Sequence, residues 1–237
     1  ITSPATGYGT SLSFNATAGQ NLGLSLTGLT FAGGVYGDLY LSVNKPDGTL
    51  LQQVLCRTSN PGAGCNLVLT NLPLTGSYMV YVSNNGYPAI TGGTLTLSSD
   101  KTGTLTSGTA MSLSLRNGQN ARPTFAGTAG QPATIRFEGI TTVPANLNVQ
   151  VSILKPDGTV LSGPVNGSSL LNGSELYVAS LPSTGTYSVL ATPAYGATAT
   201  LSMTLNPASE LAIDGAPVNI TSPATGYGTS LSFNATA

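Results

Sequence analysis

Two cysteines, eight carboxylates and seven cations carry most of the reactive chemistry in this 237-residue chain, which has no histidine and no tryptophan. Cys56 and Cys65 flank a polar loop rich in turn formers, Arg-Thr-Ser-Asn-Pro-Gly-Ala-Gly. An even cysteine count in so polar a chain predicts one disulfide and an oxidising compartment. The closed loop is short, so the bridge adds at most ~3 kcal/mol. The matching loop of the second half, 162–174, has no cysteine, which makes the bridge a local clip. No CxxC spacing supports a redox site.

The acids Asp38, Asp47, Asp100, Glu138, Asp157, Glu175, Glu210 and Asp214 are scattered singly. Calcium needs clustered oxygen ligands, and a glycosidase needs a facing carboxylate pair. Asp100 beside Lys101, and Glu210 near Asp214, are the places where a weak ion site is conceivable. Without imidazole, the Ser-His-Asp and Cys-His schemes lack their base, and zinc or copper lacks its usual ligands. Gly33-Gly34 and Gly92-Gly93 do not open helices, so no phosphate cradle is expected. The chain is therefore expected to be no enzyme and to need no cofactor.

Only 6% of residues are charged, against roughly 25% in an average domain, and the net charge is −1. Phosphate neutralisation needs a basic face, so nucleic acid is not an expected partner. No apolar run approaches the ~20 residues of a membrane-spanning helix, so insertion is not expected. No signal peptide opens at Ile1, so earlier processing or truncation is expected. Asn-x-Ser/Thr sequons at Asn15, Asn166, Asn172, Asn219 and Asn234 arise easily in such a composition.

The elements that hold these residues are repeated. Residues 1–18, ITSPATGYGTSLSFNATA, reappear unchanged as residues 220–237. Three origins stand open: a window on an array of near-identical units, a donor strand, or an artefact of how the chain was made. Within the unit, Lys45-Pro46-Asp47-Gly48-Thr49 recurs as Lys155-Pro156-Asp157-Gly158-Thr159. Leu72-Pro73-Leu74-Thr75-Gly76-Ser77-Tyr78 recurs as Leu181-Pro182-Ser183-Thr184-Gly185-Thr186-Tyr187. Phe14 followed by Thr17-Ala18-Gly19-Gln20 recurs as Phe125 followed by Thr128-Ala129-Gly130-Gln131. Each unit thus holds two diverged modules.

Apolar residues alternate with period two at 22–26, 39–43, 78–82, 147–153 and 201–205, the pattern of half-buried antiparallel strands. Essentially no helix is expected. Pro46-Asp47-Gly48 and Pro156-Asp157-Gly158 are turn sequences, joining 39–44 to 49–55 and 147–154 to 159–161. Leu-Pro-x-Thr-Gly also spells a sortase signal, but both copies are internal and run straight into strands. The reading adopted is a turn, with Thr75-Gly76 and Thr184-Gly185 before Tyr78 and Tyr187 placed as tyrosine corners. The predicted fold is all-β: two tandem antiparallel β-sandwich (Ig-like) modules plus the first strand or strands of a third. Module A spans 1–101 and lacks its leading strand, the equivalent of 211–219. Module B spans 102–208. Residues 209–237 are a linker and the start of the next module A, expected to lie disordered or to pair with a neighbouring sheet edge. Strands around 100–112 and 207–220 are expected to join the modules.

The order Phe-x-x-Thr-Ala-Gly-Gln, Lys-Pro-Asp-Gly-Thr, Leu-Pro-x-Thr-Gly-x-Tyr, over 14–98 and again over 125–206, resembles the bacterial pre-peptidase C-terminal-like β-sandwich modules. These recur in tandem in large secreted or surface proteins. The resemblance implies an extracellular, non-catalytic module and transfers no active-site residues. The expected function is a structural repeat of a bacterial extracellular filament or adhesin stalk, whose partners are further copies of the repeat. A self-polymerising subunit joined through 220–237 by strand addition is the alternative. A carbohydrate- or protein-binding module is another, with Tyr36, Tyr40, Tyr87 and Tyr195 as stacking residues. The sequence names no host or surface ligand.

Overall fold

The computed structural model describes residues 1–3, 5–84, 86–165, 175–206, 209–220 and 231–233. The chain is all-β. Among the described residues helical geometry is confined to three single 3₁₀ turns, Ala32–Gly34, Pro61–Ala63 and Ala194–Gly196. The first half contains β1 (Thr10–Ala16), β2 (Leu22–Phe31), β3 (Asp38–Asn44), β4 (Leu50–Arg57), β5 (Cys65–Leu69), β6 (Gly76–Ser83) and β7 (Ile90–Ser99). The second contains β8 (Ala110–Leu115), β9 (Thr124–Gly127), β10 (Ala133–Val143), β11 (Val149–Leu154), β12 (Val160–Val165), β13 (Glu175–Val178), β14 (Gly185–Pro193) and β15 (Thr198–Asn206).

Each half closes two antiparallel sheets over one core. Module A orders its strands β1-β6-β3-β4 and β5-β2-β7; module B orders them β9-β14-β11-β12 and β13-β10-β15-β8. The topologies match strand for strand except that β8 has no counterpart in module A. Period two builds both cores. Leu39, Leu41 and Val43 of β3 meet Leu24 and Leu26 of β2, and Val149, Val151 and Ile153 of β11 meet Ile135 and Phe137 of β10. All of these are buried, each contributing roughly 1.5–3 kcal/mol of transfer free energy.

The three recurring motifs interlock at one end of each module. In the Lys-Pro-Asp-Gly turn, Gly48 takes φ +83°, which a Cβ would strain. Thr49 donates its N–H and hydroxyl to Asp47 Oδ1 at 2.9 and 2.6 Å, and Thr159 does the same to Asp157 at 2.8 and 2.6 Å. The Ala18 N–H donates to Thr75 Oγ1 at 2.9 Å and the Ala129 N–H to Thr184 Oγ1 at 3.0 Å. Gly19 and Leu72 exchange backbone bonds with the opposite loop, as do Gly130 and Leu181. A Cβ on Gly76 would press on Pro46, and one on Gly185 on Pro156. Tyr78 and Tyr187 are wholly buried. Each hydroxyl donates to the carbonyl four residues upstream, Leu74 at 2.7 Å and Ser183 at 2.6 Å, and accepts the N–H of the same residue at 3.2 Å. Their rings stack on Phe14 and Phe125 at 5.4 and 5.5 Å. All three motifs are therefore spent on architecture.

The threonine bonds hold the Asp47 and Asp157 carboxyls below the usual carboxylate value. A depressed folded-state value contributes stability above the unfolded-state pKa and loses it as pH falls through the folded one. Both turns should therefore hold at neutral pH and loosen only in acid, below about pH 4. The Thr49 and Thr159 amide resonances, followed from pH 7 to 2, test this; a midpoint at or above the ordinary carboxylate value counts against it.

The disulfide links Cys56, at the end of β4, to Cys65, at the start of β5, with Cα atoms 5.2 Å apart. It stitches the two sheets of module A together. Reduction should lower the melting transition of module A by no more than the equivalent of ~3 kcal/mol and leave module B unchanged. Calorimetry with and without reductant checks this, and loss of both transitions would contradict it.

The joining segments, expected as strands around 100–112 and 207–220, are strand only in part among the described residues, at the start of β8 and at Ser209–Glu210. Residues 101–109 run as irregular chain held by isolated parallel bridges, Lys101 to Ala121 and Thr104 to Thr124, and residues 211–220 form no strand. Gly103 and Gly108 interrupt the first segment and Pro217 the second, weakening any ladder there. Among the described residues of the terminal copy, β17 (Leu231–Ser232) pairs in parallel with β16 (Ser209–Glu210) of the same chain. Residues 221–230 and 234–237 lie outside the described residues, as do Asn166, Asn172, Asn234 and 166–174 of the sister loop. No helix among the described residues is long and apolar enough to cross a membrane.

Candidate functional site

The A–B junction is built from glycines, short side chains and a buried ion pair. Residues 116–122, between β8 and β9, lie against the outer face of the β5-β2-β7 sheet. On β2 the residues alternating with the core leucines are Gly23 and Ser25, and both are buried. A Cβ on Gly23 would collide with the Gly118 carbonyl, and one on Gly118 would stand 2.9 Å from Ser25 Oγ. The turn around Tyr195 fits the same face: Gly64 lies under the Tyr195 carbonyl, and Gly196 against Ser25 and the Cys65 carbonyl. Backbone approaches backbone here because no side chain intervenes.

Polar bonds fix the register. Arg116 Nε donates to Ser98 Oγ at 3.0 Å, and Ser98 Oγ donates to the Asn117 carbonyl at 3.2 Å. Gln119 Nε2 donates to the Ser99 carbonyl at 2.9 Å. Asp100 is the centre: its side chain is 2% exposed, with Arg122 Nε at 2.7 Å and Asn120 Nδ2 at 2.9 Å. Arg122 also reaches Thr70 Oγ1 at 3.2 Å, across the junction. A buried pair is weak evidence for stability, but removing one partner is costly. Asp100 is thus engaged by module B, and no cluster of three or more metal-ligating side chains occurs among the described residues.

Beside this contact runs an open groove of about 590 Å³, lined by Gln52, Asn60 and Asn66 of module A and Asn148, Gln150 and Tyr195 of module B among others. Side-chain amides supply donors and acceptors without net charge. Of the four tyrosines singled out in the sequence, Tyr195 lines this groove. Tyr36 is exposed elsewhere. Tyr40 and Tyr87 are half-buried, and Tyr87 packs on Phe31 at 5.7 Å, so they do not form a stacking platform.

Sequence reasoning placed the motif residues in turns and corners but missed the junction residues, Gly23, Ser25, Gly64, Arg116–Arg122 and Gly196. Their partners lie in the other module, so no local pattern marks them. The available signal was composition: two of the seven cations fall within 116–122.

The chain matches no family model and no curated protein. Among solved structures it resembles the CUB1-EGF-CUB2 region of human MASP-1/3, with 13% identity and TM-score 0.27 over 86% of this chain and 98% of that one. It also resembles the N-terminal CBM22-1-CBM22-2 tandem domain of Paenibacillus barcinonensis Xyn10C, with 13% identity and TM-score 0.28 over 86% and 78%. Likeness at this level carries no argument about ligands or activity.

Proposed function

We propose that this chain is a structural, non-catalytic tandem-repeat segment of a bacterial extracellular filament or adhesin stalk, of the pre-peptidase C-terminal-like kind. One observation carries the reading: the same eighteen residues occur twice, and an isoleucine and a phenylalanine at matching positions stand in different environments. In the first copy, Ile1 and Phe14 are half-buried against the module A core, and Phe14 stacks on Tyr78. In the second copy, Ile220 and Phe233 are each 67% exposed. Ile220 and Phe233 thus present core-forming side chains without a core around them, as the beginning of a further module A would. The tight junction supports a load-bearing role, since successive modules meet through backbone and buried polar bonds. The low charge leaves little repulsion between neighbours. A disulfide-bearing module suits an oxidising, extracellular setting.

Electron microscopy and intact mass of the native material test this. The expected result is a polypeptide longer than one repeat unit, forming uniform beaded fibres. A chain that stops after one unit and stays a solitary particle overturns it.

The groove favours a second reading, a binding module for neutral glycans, with the amides bonding hydroxyls and Tyr195 supplying a ring face. A glycan array should then give hits that Tyr195→Ala abolishes; an array without hits discards this reading.

A further inference from the structure

One sheet edge of module A is open where the matching edge of module B is filled. β7 and β15 occupy the same place, each paired on one side with the long second strand, β2 or β10. On its other side β15 carries β8, from Ala199 opposite Leu115 to Thr204 opposite Ala110. Among the described residues, the chain that runs along this side of β7 is residues 1–3. The Ile1 nitrogen donates to the Gly93 carbonyl, the Ser3 N–H to the Ile90 carbonyl at 3.0 Å, and the Ile90 N–H to Ser3 Oγ at 2.8 Å. Beyond Gly93, β7 has no strand on that side among the described residues. The side chains register the gap. Met203 is fully buried, while Leu95, which pairs with β2 as Met203 does with β10, is half-buried, and Leu97 is 36% exposed.

We propose that this edge is completed by residues 216–219, Ala-Pro-Val-Asn, of a preceding copy of the repeat, peptide-bonded to Ile1 and continuing its strand along β7. The proposal rests on the tandem-array reading above and names the contact that reading requires. Ile220 begins the same sequence as Ile1, so what stands before Ile220 is what a preceding copy places before Ile1.

The segment fits the edge in three respects. Ile1 and Ser3 point their N–H groups at β7, so in an alternating strand Val218 and Ala216 do so too, while Asn219 and Pro217 face away. Pro217, which has no N–H, therefore falls where no ladder donor is needed, the position tolerated in an edge strand. Val218 shares a side-chain face with the isoleucine that follows it, and Ile1 packs on the core. Val218 would therefore cover Leu95, as Met111 stands opposite Met203. Finally, residues 211–220 are exposed throughout and unpaired as strand in this chain, with Val218 38% exposed, so the segment is available. The outward proline would also blunt the completed edge against further strand addition.

The test adds the segment 211–219 ahead of Ile1 of the full 237-residue chain. Hydrogen exchange should slow about tenfold or more at those amides of 94–99 that β2 leaves unpaired, and melting of module A should rise. Changing the valine of the added segment to aspartate should abolish both effects. Unchanged exchange at 94–99, protection that survives the aspartate, or protection that grows with protein concentration overturns the proposal. Microscopy of the native material separates the two readings. Protection of the edge with solitary native particles sinks the array and keeps the strand fit, whereas fibres with an unprotected edge do the reverse.

Discussion

Replacing Tyr187 with alanine is expected to abolish cooperative unfolding of module B. Truncating a buried aromatic ring costs roughly 3–5 kcal/mol. The lost hydroxyl also takes away the partner of the Ser183 N–H and carbonyl, which adds about 1–2 kcal/mol. Against a domain stability of about 5–15 kcal/mol this is most of the margin. Calorimetry should show the module B transition lowered by roughly 15 °C or more, or lost. Tyr187→Phe keeps the ring on Phe125 and should cost only about 1–2 kcal/mol, the hydroxyl's share. Equal losses in the two variants would mean that the ring packing contributes nothing, contrary to its complete burial. Tyr78 should behave likewise in module A, because its hydroxyl and ring have the same partners at the same spacing.

Asp100→Ala should destabilise the junction by roughly 3–5 kcal/mol, because it strands the Arg122 guanidinium in a site that excludes water. Arg122 has only 10% of its side chain exposed, and its remaining acceptor, Thr70, carries no charge. Removing both charges together, as Asp100→Leu with Arg122→Met, should recover much of the loss, since the pair itself is worth little beyond an apolar replacement. A double-mutant cycle in urea reads the coupling. A cycle in which the two single losses simply add would show that the ion pair does not operate across the junction.

How far the sequence reached can be seen in these residues. Tyr187 was legible, because a corner motif is local: Ser183 and Tyr187 are four residues apart, and the motif occurs twice. The strands at 22–26, 39–43, 78–82, 147–153 and 201–205 were legible for the same reason, since alternation needs no knowledge of the partner. Asp100 was read as one member of a conceivable ion site. Its true partners, Asn120 and Arg122, stand some twenty residues ahead on a loop with no periodicity, and only the docking of module B brings them together. Gly23 and Ser25 read as ordinary outward positions of a strand, although a second module covers that face.

The clip between β4 and β5 has a bearing on durability in a protease-rich environment. Of the seven basic residues, Lys45, Arg122 and Lys155 each precede a proline, a bond that proteases specific for basic residues hydrolyse poorly. Arg57, well exposed on its side chain, lies inside the ring closed by Cys56 and Cys65. A nick there would sever the backbone but not the molecule, because the two fragments would stay joined through sulfur.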